Sequence, residues 1–276
     1  MTAPVGVPIA EALDSALVAL RAARVDSPRL DAEVLLAHAL GVDRTHLFLN
    51  PDTPVTGAAV HAFRDAVRRR TVLREPVAYI VGSKGFRRLD LHVDGRVLIP
   101  RPETEHLVEA ALTLPQGARV VDVGTGSGAV ALALKDERPD LDVHATDVSE
   151  DALHVAYGNA QRLGLAITFH HGDLLARIPS VDAVVSNPPY VESGARLAPE
   201  IAQHEPPGAL FAGPDGLDVI RRLIPAAAED AGARWIGLEV GAGQPPAVTP
   251  LAPPGWDAAV HADLAGHDRV VVLWRP

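Results

Sequence analysis

The stretch RVVDVGTGSGA, residues 119–129, decides the fold of this chain. Its first five residues are mostly apolar and β-branched, as in a buried strand, and the residues after Gly128 favour a helix. A strand that runs through a glycine-rich turn into a helix is typical of an open α/β sheet, where free N–H groups at the helix start attract an anion. The spacing G-x-G-x-G departs from the dinucleotide pattern G-x-G-x-x-G. The turn is therefore a candidate ligand site, with a purely structural tight turn as the alternative.

The chain after residue 117 keeps alternating between strand-like and helix-like segments. Helical patterns follow the glycine turn and recur at 149–164 and near 217–231. The strand-like segments are ARVVDVG at 118–124, DVHATD at 142–147, ITFHHGD at 167–173, VDAVVS at 181–186, RWIGLEV at 234–240 and RVVVLW at 269–274. This alternation predicts an α/β fold with a Rossmann-like, mostly parallel sheet and helices on both faces.

The first 75 residues predict a small helical domain. Apolar residues recur at helical spacing from Ala12 to Leu20 and from Leu30 to Ala39, and Gly41 is a typical residue just past a helix end. A third helix is expected from Ala58 to Leu73. Its arginines are consistent with a basic partner surface or, more simply, with a solvated helix face.

From Pro76 the pattern changes to alternation interrupted by glycines, which predicts a β-hairpin linker. The stretch IPRPETEHLVEAAL at 99–112 then predicts a helix with acidic residues in its first turn. The alternating apolar residues of the linker are Val77, Tyr79, Val81, Phe86, Leu89, Leu91 and Val93. The expected organisation is a helical domain over 1–75, a hairpin linker over 76–100 and an α/β domain over 101–276.

Composition and charge exclude several classes of protein. The 276 residues are 47% hydrophobic and 22% charged and include no cysteine, which excludes a disulfide scaffold, a thiolate nucleophile and Cys-ligated metal. Residues 1–100 carry 13 basic and 11 acidic residues, whereas residues 101–276 carry 12 and 24. The net charge of −10 argues against a nucleic-acid partner held by bulk electrostatics. With no signal peptide in MTAPVGVPIAEALDSAL and no long apolar span, we expect a cytoplasmic monomer without membrane contact.

Two aspartates follow the next two strands and extend the candidate site. Asp147 ends the second strand, where an acid can accept the hydroxyls of a ribose, although an acid there could also cap the next helix. Asp173 follows the third strand and could bind the exocyclic amine of an adenine or cap a turn. With the glycine turn, these positions predict a site for an adenosine-bearing ligand whose far end is anionic.

The sharpest motif is Asn187-Pro188-Pro189-Tyr190, directly after the apolar strand VDAVVS. Two prolines remove two backbone donors, so the carbonyl groups there lack local partners, and Asn187 adds a side-chain acceptor. This arrangement can hold both hydrogens of an NH₂ group, with Tyr190 as a platform for a planar group. A structural Pro-Pro turn with an Asn cap is the alternative.

Taken in order, DVGTGSG, Asp147, Gly172-Asp173 and NPPY resemble a class I S-adenosylmethionine-dependent methyltransferase acting on a planar amine or amide nitrogen. Five further segments resemble the HemK/PrmC family, which methylates the glutamine of the Gly-Gly-Gln loop of peptide chain release factors. Those segments are EPVAYIVG at 75–82 with Phe86, Leu89 and Leu91 after it, LIPRPETE at 98–105, HEPPGALFAGPDGL at 204–217, LEVGAGQ at 238–244 and GHDRVVV at 266–272. The resemblance runs from about residue 10 to the end.

The resemblance implies roles for particular residues. It implies that S-adenosylmethionine, which leaves as S-adenosylhomocysteine, lies with its methionine part along the glycine turn and its ribose on Asp147. Asp173 and Leu174 would contact the adenine, and Leu174 stands where many family members have an aromatic residue. Asn187, Pro188, Pro189 and Tyr190 would hold the glutamine amide, with Asn187 also beside the cofactor. The turn residues concerned are Gly124, Thr125, Gly126, Ser127 and Gly128.

The resemblance also implies that the helical domain over 1–75 helps dock the release factor. No metal is required, because the sulfonium is already an activated electrophile. The adjacent His170 and His171 are not expected to bind one together, because they point to opposite faces of a strand. Glu239 could be structural or belong to the site, and Arg101 could pair with an acid or with substrate.

Three other functions are alternatives for this sequence. A nucleic-acid methyltransferase of adenine or guanine amines shares NPPY, but it predicts a basic surface. A dehydrogenase would need G-x-G-x-x-G, and a non-catalytic adenosine sensor would leave NPPY without a role.

Overall fold

The computed structural model describes residues 6–176 and 178–276, so residues 1–5 of the predicted helical domain lie outside it. The described residues group into two compact units. The first contains the chain up to Gly82 together with Leu197–His204, and the second contains Ser83–Arg196 and Glu205–Pro276. No helix among the described residues combines the length and apolarity that a membrane crossing requires.

Five helices form the N-terminal part of the first unit, with a short antiparallel strand pair beside them. The helices are α1 (Ile9–Ala22), α2 (Pro28–Leu40), α3 (Arg44–Leu49), α4 (Ala58–Val72) and α5 (Val77–Val81), and the strands are β1 (Val7–Pro8) and β2 (Pro54–Val55). The helix α2 ends as expected at Gly41, whose φ of 67° is left-handed. Apolar side chains of these helices form a core that includes Leu20, Leu35, Leu36 and Phe63.

The strand expected at Val77, Tyr79 and Val81 is wrong, because these residues form helix α5. Pro76 precedes the helix with an extended backbone, and Gly82 ends it in a left-handed conformation at φ 73°. In a segment of five residues, apolar residues at every second position are compatible with a strand and also with a single turn of helix. Burial decides here, since Ile80 packs into the helical core of the first unit.

The second unit begins with a β-hairpin and continues as an α/β domain. The hairpin strands are β3 (Ser83–Phe86) and β4 (Leu89–His92), shorter and later than the alternation indicated. The elements that follow are α6 (Glu105–Ala111), β5 (Arg119–Val123), α7 (Ala129–Glu137), β6 (Asp142–Asp147), α8 (Glu150–Leu163), β7 (Thr168–His171), β8 (Ala183–Ser186), α9 (Pro199–His204), α10 (Asp218–Pro225), β9 (Trp235–Glu239), α11 (Pro245–Val248), β10 (Asp257–Ala262) and β11 (Asp268–Trp274).

One helix among these, α9, belongs to the first unit. Arg70, which is buried, donates to Asp31 at 2.7 Å and to Glu200 of α9 at 2.9 Å. Arg74 pairs with the same Glu200 at 2.5 Å. His204, the last residue of α9, hydrogen-bonds the Leu73 carbonyl oxygen at 2.7 Å. Because an unpaired buried charge is costly, these contacts specify where α9 packs.

The central sheet has seven strands in the order β10-β11-β9-β8-β5-β6-β7. The five strands from β5 to β9 are mutually parallel, and β11 and β10 add antiparallel at one edge. The expectation of a mostly parallel sheet is confirmed, while β10 had no alternation strong enough to predict it. The strand order reverses between β5 and β8, and in open α/β sheets ligands bind beyond the carboxyl ends of the strands at such a point.

Both faces of the sheet are covered, as alternating side chains in the strands require. Val120 of β5 faces a core formed with α6, α7 and the hairpin residues Phe86 and Leu91. Its neighbour Val121 faces the opposite core, formed with α10 and α11. Burial on both faces explains why the strands are nearly continuous apolar runs.

A buried asparagine fastens the hairpin to the α/β domain. Asn159 of α8, which is 1% exposed, accepts from the His92 N–H at 2.8 Å and donates to the His92 carbonyl oxygen at 3.0 Å. Its amide nitrogen also donates to the Ser127 carbonyl oxygen at 3.0 Å. A single side chain therefore satisfies polar backbone groups of both the hairpin and the glycine turn.

Replacing Asn159 with leucine should lower the free energy of unfolding by about 2–4 kcal/mol, because three buried backbone contacts lose their partner. Urea unfolding measures the change. Gln161→Leu, an exposed position on the same helix, is the matched control and should change it by less than about 0.5 kcal/mol. Equal stabilities of the Asn159 variant and the control would contradict the role of Asn159.

Candidate active site

A cavity of about 330 Å³ lies at the carboxyl ends of β5, β6 and β8, where the strand order reverses. Its wall contains eight of the site residues predicted from the sequence. These are Gly124, Gly126, Asp147, Asp173, Leu174, Asn187, Pro188 and Pro189. The size is within the range of small-molecule and cofactor sites.

The glycine turn presents bare backbone to this cavity. Gly124 and Gly126 have φ of 72° and 55°, a left-handed conformation that favours glycine, and a Cβ on either would extend into open space. The N–H groups of Gly124 and Thr125 donate to the Thr146 carbonyl oxygen at 2.8 and 3.0 Å. The turn is therefore held to the end of β6 and leaves room for a ligand against its backbone.

Asp147 is oriented by two backbone donors. Its Oδ2 accepts from the Gly126 N–H at 3.0 Å and its Oδ1 accepts from the Ser149 N–H at 2.9 Å. The cap of α8 is Ser149, whose hydroxyl oxygen accepts from the Ala152 N–H at 3.2 Å. Because each carboxylate oxygen has a further lone pair, Asp147 can still accept hydrogen bonds from a ligand in the cavity.

Asp122, for which the sequence suggested no role of its own, stabilises the glycine turn by hydrogen bonds from the protein side. It is 2% exposed, and its Oδ2 accepts from the Thr125 hydroxyl at 2.6 Å and from the Ala131 N–H at 3.2 Å. Burial raises the pKa of Asp122 to about 7, although both hydrogen bonds act in the opposite direction.

Asp173 and Leu174 follow β7, the edge strand that lies three positions from β8 in the sheet, and both residues line the cavity. Leu174 has a φ of 50°, which is uncommon for a residue with a branched side chain, and its side chain lines the cavity. Asp173 is exposed and its carboxylate pairs with Arg222 of α10. The apolar contact expected from Leu174 is available at the cavity wall.

The NPPY motif is positioned by the end of β8. The Ser186 hydroxyl donates to the Val123 carbonyl oxygen at 2.7 Å, which joins the ends of β8 and β5. Asn187 donates through its Nδ2 to the Thr104 hydroxyl oxygen at 3.0 Å. This bond directs the NH₂ group of Asn187 toward Thr104, so the amide oxygen is the acceptor that it offers to a ligand.

Tyr190 lies behind the motif. Its hydroxyl donates to Glu239 Oε1 at 3.2 Å, and its carbonyl oxygen accepts from Gln244 Nε2 at 3.1 Å. Glu239 is 1% exposed, and burial raises its pKa to about 7. Burial and the nearby Glu239 also raise the pKa of Tyr190, so its hydroxyl stays protonated. Gly216 packs so tightly here that a Cβ would lie 2.2 Å from the Tyr190 carbonyl oxygen.

Four of the predicted site residues lie outside the cavity wall. The Thr125 and Ser127 side chains are buried, and a Cβ on Gly128 would meet Leu132 Cδ1 at 2.9 Å and not a ligand. Tyr190 is the fourth. These residues shape the turn and the motif from behind, and any contact with a ligand stays a prediction.

Several cavity residues had no predicted role. They come from the end of the predicted linker and from two segments that carry the family resemblance. They are Arg96 and Val97 in the linker, Leu98 at the start of LIPRPETE, and Pro206, Gly208 and Ala209 within HEPPGAL. Arg101 of LIPRPETE pairs with the buried Glu205 of HEPPGAL at 2.6 Å, so of the two expected partners, an acid or the substrate, the acid is the one observed. A pairing 104 residues apart has no local sequence signal.

Comparison with known proteins identifies the family. The PrmC N-terminal domain matches residues 11–82, and the methyltransferase small domain matches residues 103–204. A release factor glutamine methyltransferase from Koribacter versatilis is 41% identical over 275 residues, covering 96% of this chain and 98% of the relative. Another, from Mycolicibacterium smegmatis, is 45% identical over 232 residues, covering 82% of this chain and 79% of the relative.

The chain belongs to the release factor glutamine methyltransferase family.

Solved structures agree with the α/β methyltransferase fold of this enzyme. A methyltransferase from Pyrococcus furiosus aligns with a TM-score of 0.53 at 16% identity, over 68% of this chain and 89% of that chain. The hMettl16 catalytic domain aligns with a TM-score of 0.53 at 18% identity, over 79% and 81%. At these identities the comparison supports the fold alone.

In this methyltransferase, Asp122→Asn should change how stability depends on pH. The pKa of Asp122 is about 7 in the folded chain against 3.8 for an ordinary aspartate, so the folded state binds the proton more tightly. The unfolding free energy of the parent enzyme relative to the variant should therefore fall between about pH 4 and pH 7, at up to about 1.4 kcal/mol per pH unit, and stay constant above. Urea unfolding of both proteins across this range tests it, and a pH-independent difference would contradict it.

Proposed function

We propose that this enzyme transfers a methyl group from S-adenosylmethionine to the side-chain amide nitrogen of the glutamine in the Gly-Gly-Gln motif of peptide chain release factors. The relatives named for release factor glutamine methylation support the substrate class. The observation that carries the chemistry is the Asn187 amide: its nitrogen donates to Thr104, its oxygen remains as an acceptor, and Asn187 and Pro188 both line the cavity.

The residues of the cavity are compatible with S-adenosylmethionine. Gly124 and Gly126 leave space that a side chain would fill, and we assign this part of the turn to the methionine portion. Asp147 supplies free carboxylate lone pairs for the ribose hydroxyls, while Leu174 and Asp173 would contact the adenine. Gly128, Thr125 and Ser127 lie outside the cavity wall and would act by maintaining the shape of the glycine turn. When bound, this cofactor supplies a methyl group on a positively charged sulfur.

The task left to the protein is to make a primary amide nitrogen reactive. An amide is a poor nucleophile because its lone pair is delocalised into the carbonyl. Accepting the two NH₂ hydrogens with the Asn187 side-chain oxygen and the Pro188 carbonyl oxygen would concentrate electron density on nitrogen and orient it. Pro188 and Pro189 have no N–H groups, so no local backbone donor at these positions competes for the carbonyl oxygen. The methylated nitrogen then releases its extra proton, for which no dedicated base is needed.

Tyr190 would contribute a surface for the planar amide. Its hydroxyl is held on Glu239 and its backbone on Gln244, so the orientation of the ring is restrained from both ends. In this proposal the tyrosine has a packing role and does not exchange protons, which agrees with the raised pKa of its hydroxyl.

The first unit would help dock the release factor. It exposes large apolar side chains, and two of them, Phe48 and Leu49, are adjacent at the end of α3 and are 59% and 75% exposed. Adjacent exposed apolar residues are suited to a protein partner. The match of residues 11–82 to the PrmC N-terminal domain supports a role specific to this family.

The substrate is tested by offering the purified enzyme labelled S-adenosylmethionine with an intact release factor, a release factor carrying Gln→Ala in its Gly-Gly-Gln motif, or nucleic acid. We expect one methyl group on the glutamine of the intact release factor, and none on the Gln→Ala variant or on the nucleic acid. Mass spectrometry locates the methyl group. Label on adenine or guanine and none on protein would favour the nucleic-acid alternative and overturn the proposal.

Asn187→Ala should lower the turnover number by about 100-fold or more, because one acceptor that orients the substrate nitrogen is lost. Calorimetric affinity for S-adenosylmethionine should change by less than about threefold, since Asp147 and the glycine turn are intact. Gln161→Ala is the matched control, because the amide nitrogen of Gln161 donates to the Tyr157 hydroxyl at 2.7 Å on the exposed face of α8, outside the cavity wall. Parent-like turnover in the Asn187 variant would exclude this role.

A further inference from the structure

Behind Asn187 lies a buried polar chain that the proposed chemistry does not use. Asn187 Nδ2 donates to Thr104 Oγ1 at 3.0 Å, and Thr104 is 3% exposed. The Thr104 hydroxyl interacts with the carboxyl group of Glu239 and lowers its pKa, opposing the effect of burial. Tyr190 donates to Glu239 Oε1 at 3.2 Å. Three segments distant in sequence thus meet at one carboxyl group.

Glu239 has one oxygen still to satisfy. Its Oε2 is buried and has no partner at full hydrogen-bonding geometry among residues 6–176 and 178–276. A buried carboxyl oxygen without a donor is costly. The Thr104 hydroxyl lies beside this carboxyl group, and since its oxygen accepts from Asn187, its own hydrogen can be donated to Glu239. The carboxyl group therefore provides the acceptor toward which that hydrogen is directed.

We propose that Thr104 and Glu239 are positioning residues that set which end of the Asn187 amide faces the substrate. An ionised carboxylate can only accept, so the hydroxyls of Thr104 and Tyr190 must both donate to it. The lone pairs of Thr104 are then available only to a donor, and Asn187 must turn its NH₂ toward Thr104. Its oxygen is left for the NH₂ group of the substrate glutamine.

Protonation of Glu239 removes this constraint. The protonated carboxyl group can donate to Thr104, whose hydrogen is then free to be donated to the Asn187 side-chain oxygen. The reversed amide presents its NH₂ group to the substrate NH₂ group, and two donors cannot bind each other. The competent orientation therefore belongs to the ionised form of Glu239.

The groups around Glu239 determine the pH range. Burial raises its pKa to about 7 and the negative charge of Glu103 acts in the same direction, while Thr104, Tyr190 and Arg269 lower it. Because the ionised form is the competent one, the turnover number should rise with pH through about 7 and level off above.

The first arm of the test changes Thr104 in the full-length enzyme, with an intact release factor as substrate. Thr104→Val keeps the shape and removes the hydroxyl, and it should lower the turnover number by about 10- to 100-fold with S-adenosylmethionine affinity unchanged. Thr104→Ser keeps the hydroxyl and should stay within about threefold of the parent. Parent-like turnover in the valine variant, or an equal loss in both variants, would overturn the inference.

The second arm measures the turnover number from pH 5.5 to 8.5 and does not depend on whether the valine variant folds. The parent enzyme should show the rise near pH 7. Glu239→Gln removes the ionisation, and its amide can donate to Thr104 at every pH, so it should be slow and flat across the same range. A parent profile without this rise, or a glutamine variant that retains it, would overturn the inference.

This inference rests on the proposed function, and the two fail in different ways. A parent enzyme that methylates no release factor at any pH contradicts the proposed substrate. A parent enzyme that methylates the glutamine while Thr104→Val and Glu239→Gln behave like it contradicts only the positioning role.

Discussion

The hydrogen bond from the Ser186 hydroxyl to the Val123 carbonyl oxygen joins the ends of two adjacent parallel strands where the order of the sheet reverses. Beyond β5 the chain turns through the glycines, and beyond β8 it enters NPPY. Because parallel strands end at the same edge of the sheet, both motifs necessarily meet there. The cavity, the orientation of Asp147 by the Gly126 N–H group and the position of Asn187 all depend on this junction.

Two buried acids with similar pKa values serve this junction in different ways. Asp122 lies under the glycine turn and bonds the Thr125 hydroxyl and the Ala131 N–H, so its effect is on the shape and stability of the turn. Glu239 lies at the end of β9 behind Tyr190 and Thr104, so its effect is on the direction of the Asn187 amide. In both cases burial raises the pKa to about 7, and the consequence differs because the neighbours differ.

The division of the chain into units also follows from long-range contacts. Helix α9 lies between NPPY and the cavity-lining segment 206–209 in sequence, yet it belongs to the first unit through Glu200, which pairs with Arg70 and Arg74. Glu205, the next residue after α9, belongs to the second unit and pairs with Arg101. Two glutamates five positions apart, Glu200 and Glu205, thus pair with arginines of different units, and the neighbouring stretches of chain belong to those units.

The sequence by itself determined the α/β class, the strands from β5 to β9 and β11, the helices α1, α2 and α4, and the candidate residues that line the cavity. Local sequence patterns predict these features: apolar runs, glycine spacing and the NPPY motif. It also supported the resemblance to the family to which the chain belongs. Tertiary structure alone decided that residues 77–81 form a helix, since their burial in the first core outweighs a five-residue alternation. It alone decided the partners of Asn187, Arg101 and Glu239, because hydrogen bonds between residues 49 to 104 positions apart leave no periodic signal in a single sequence.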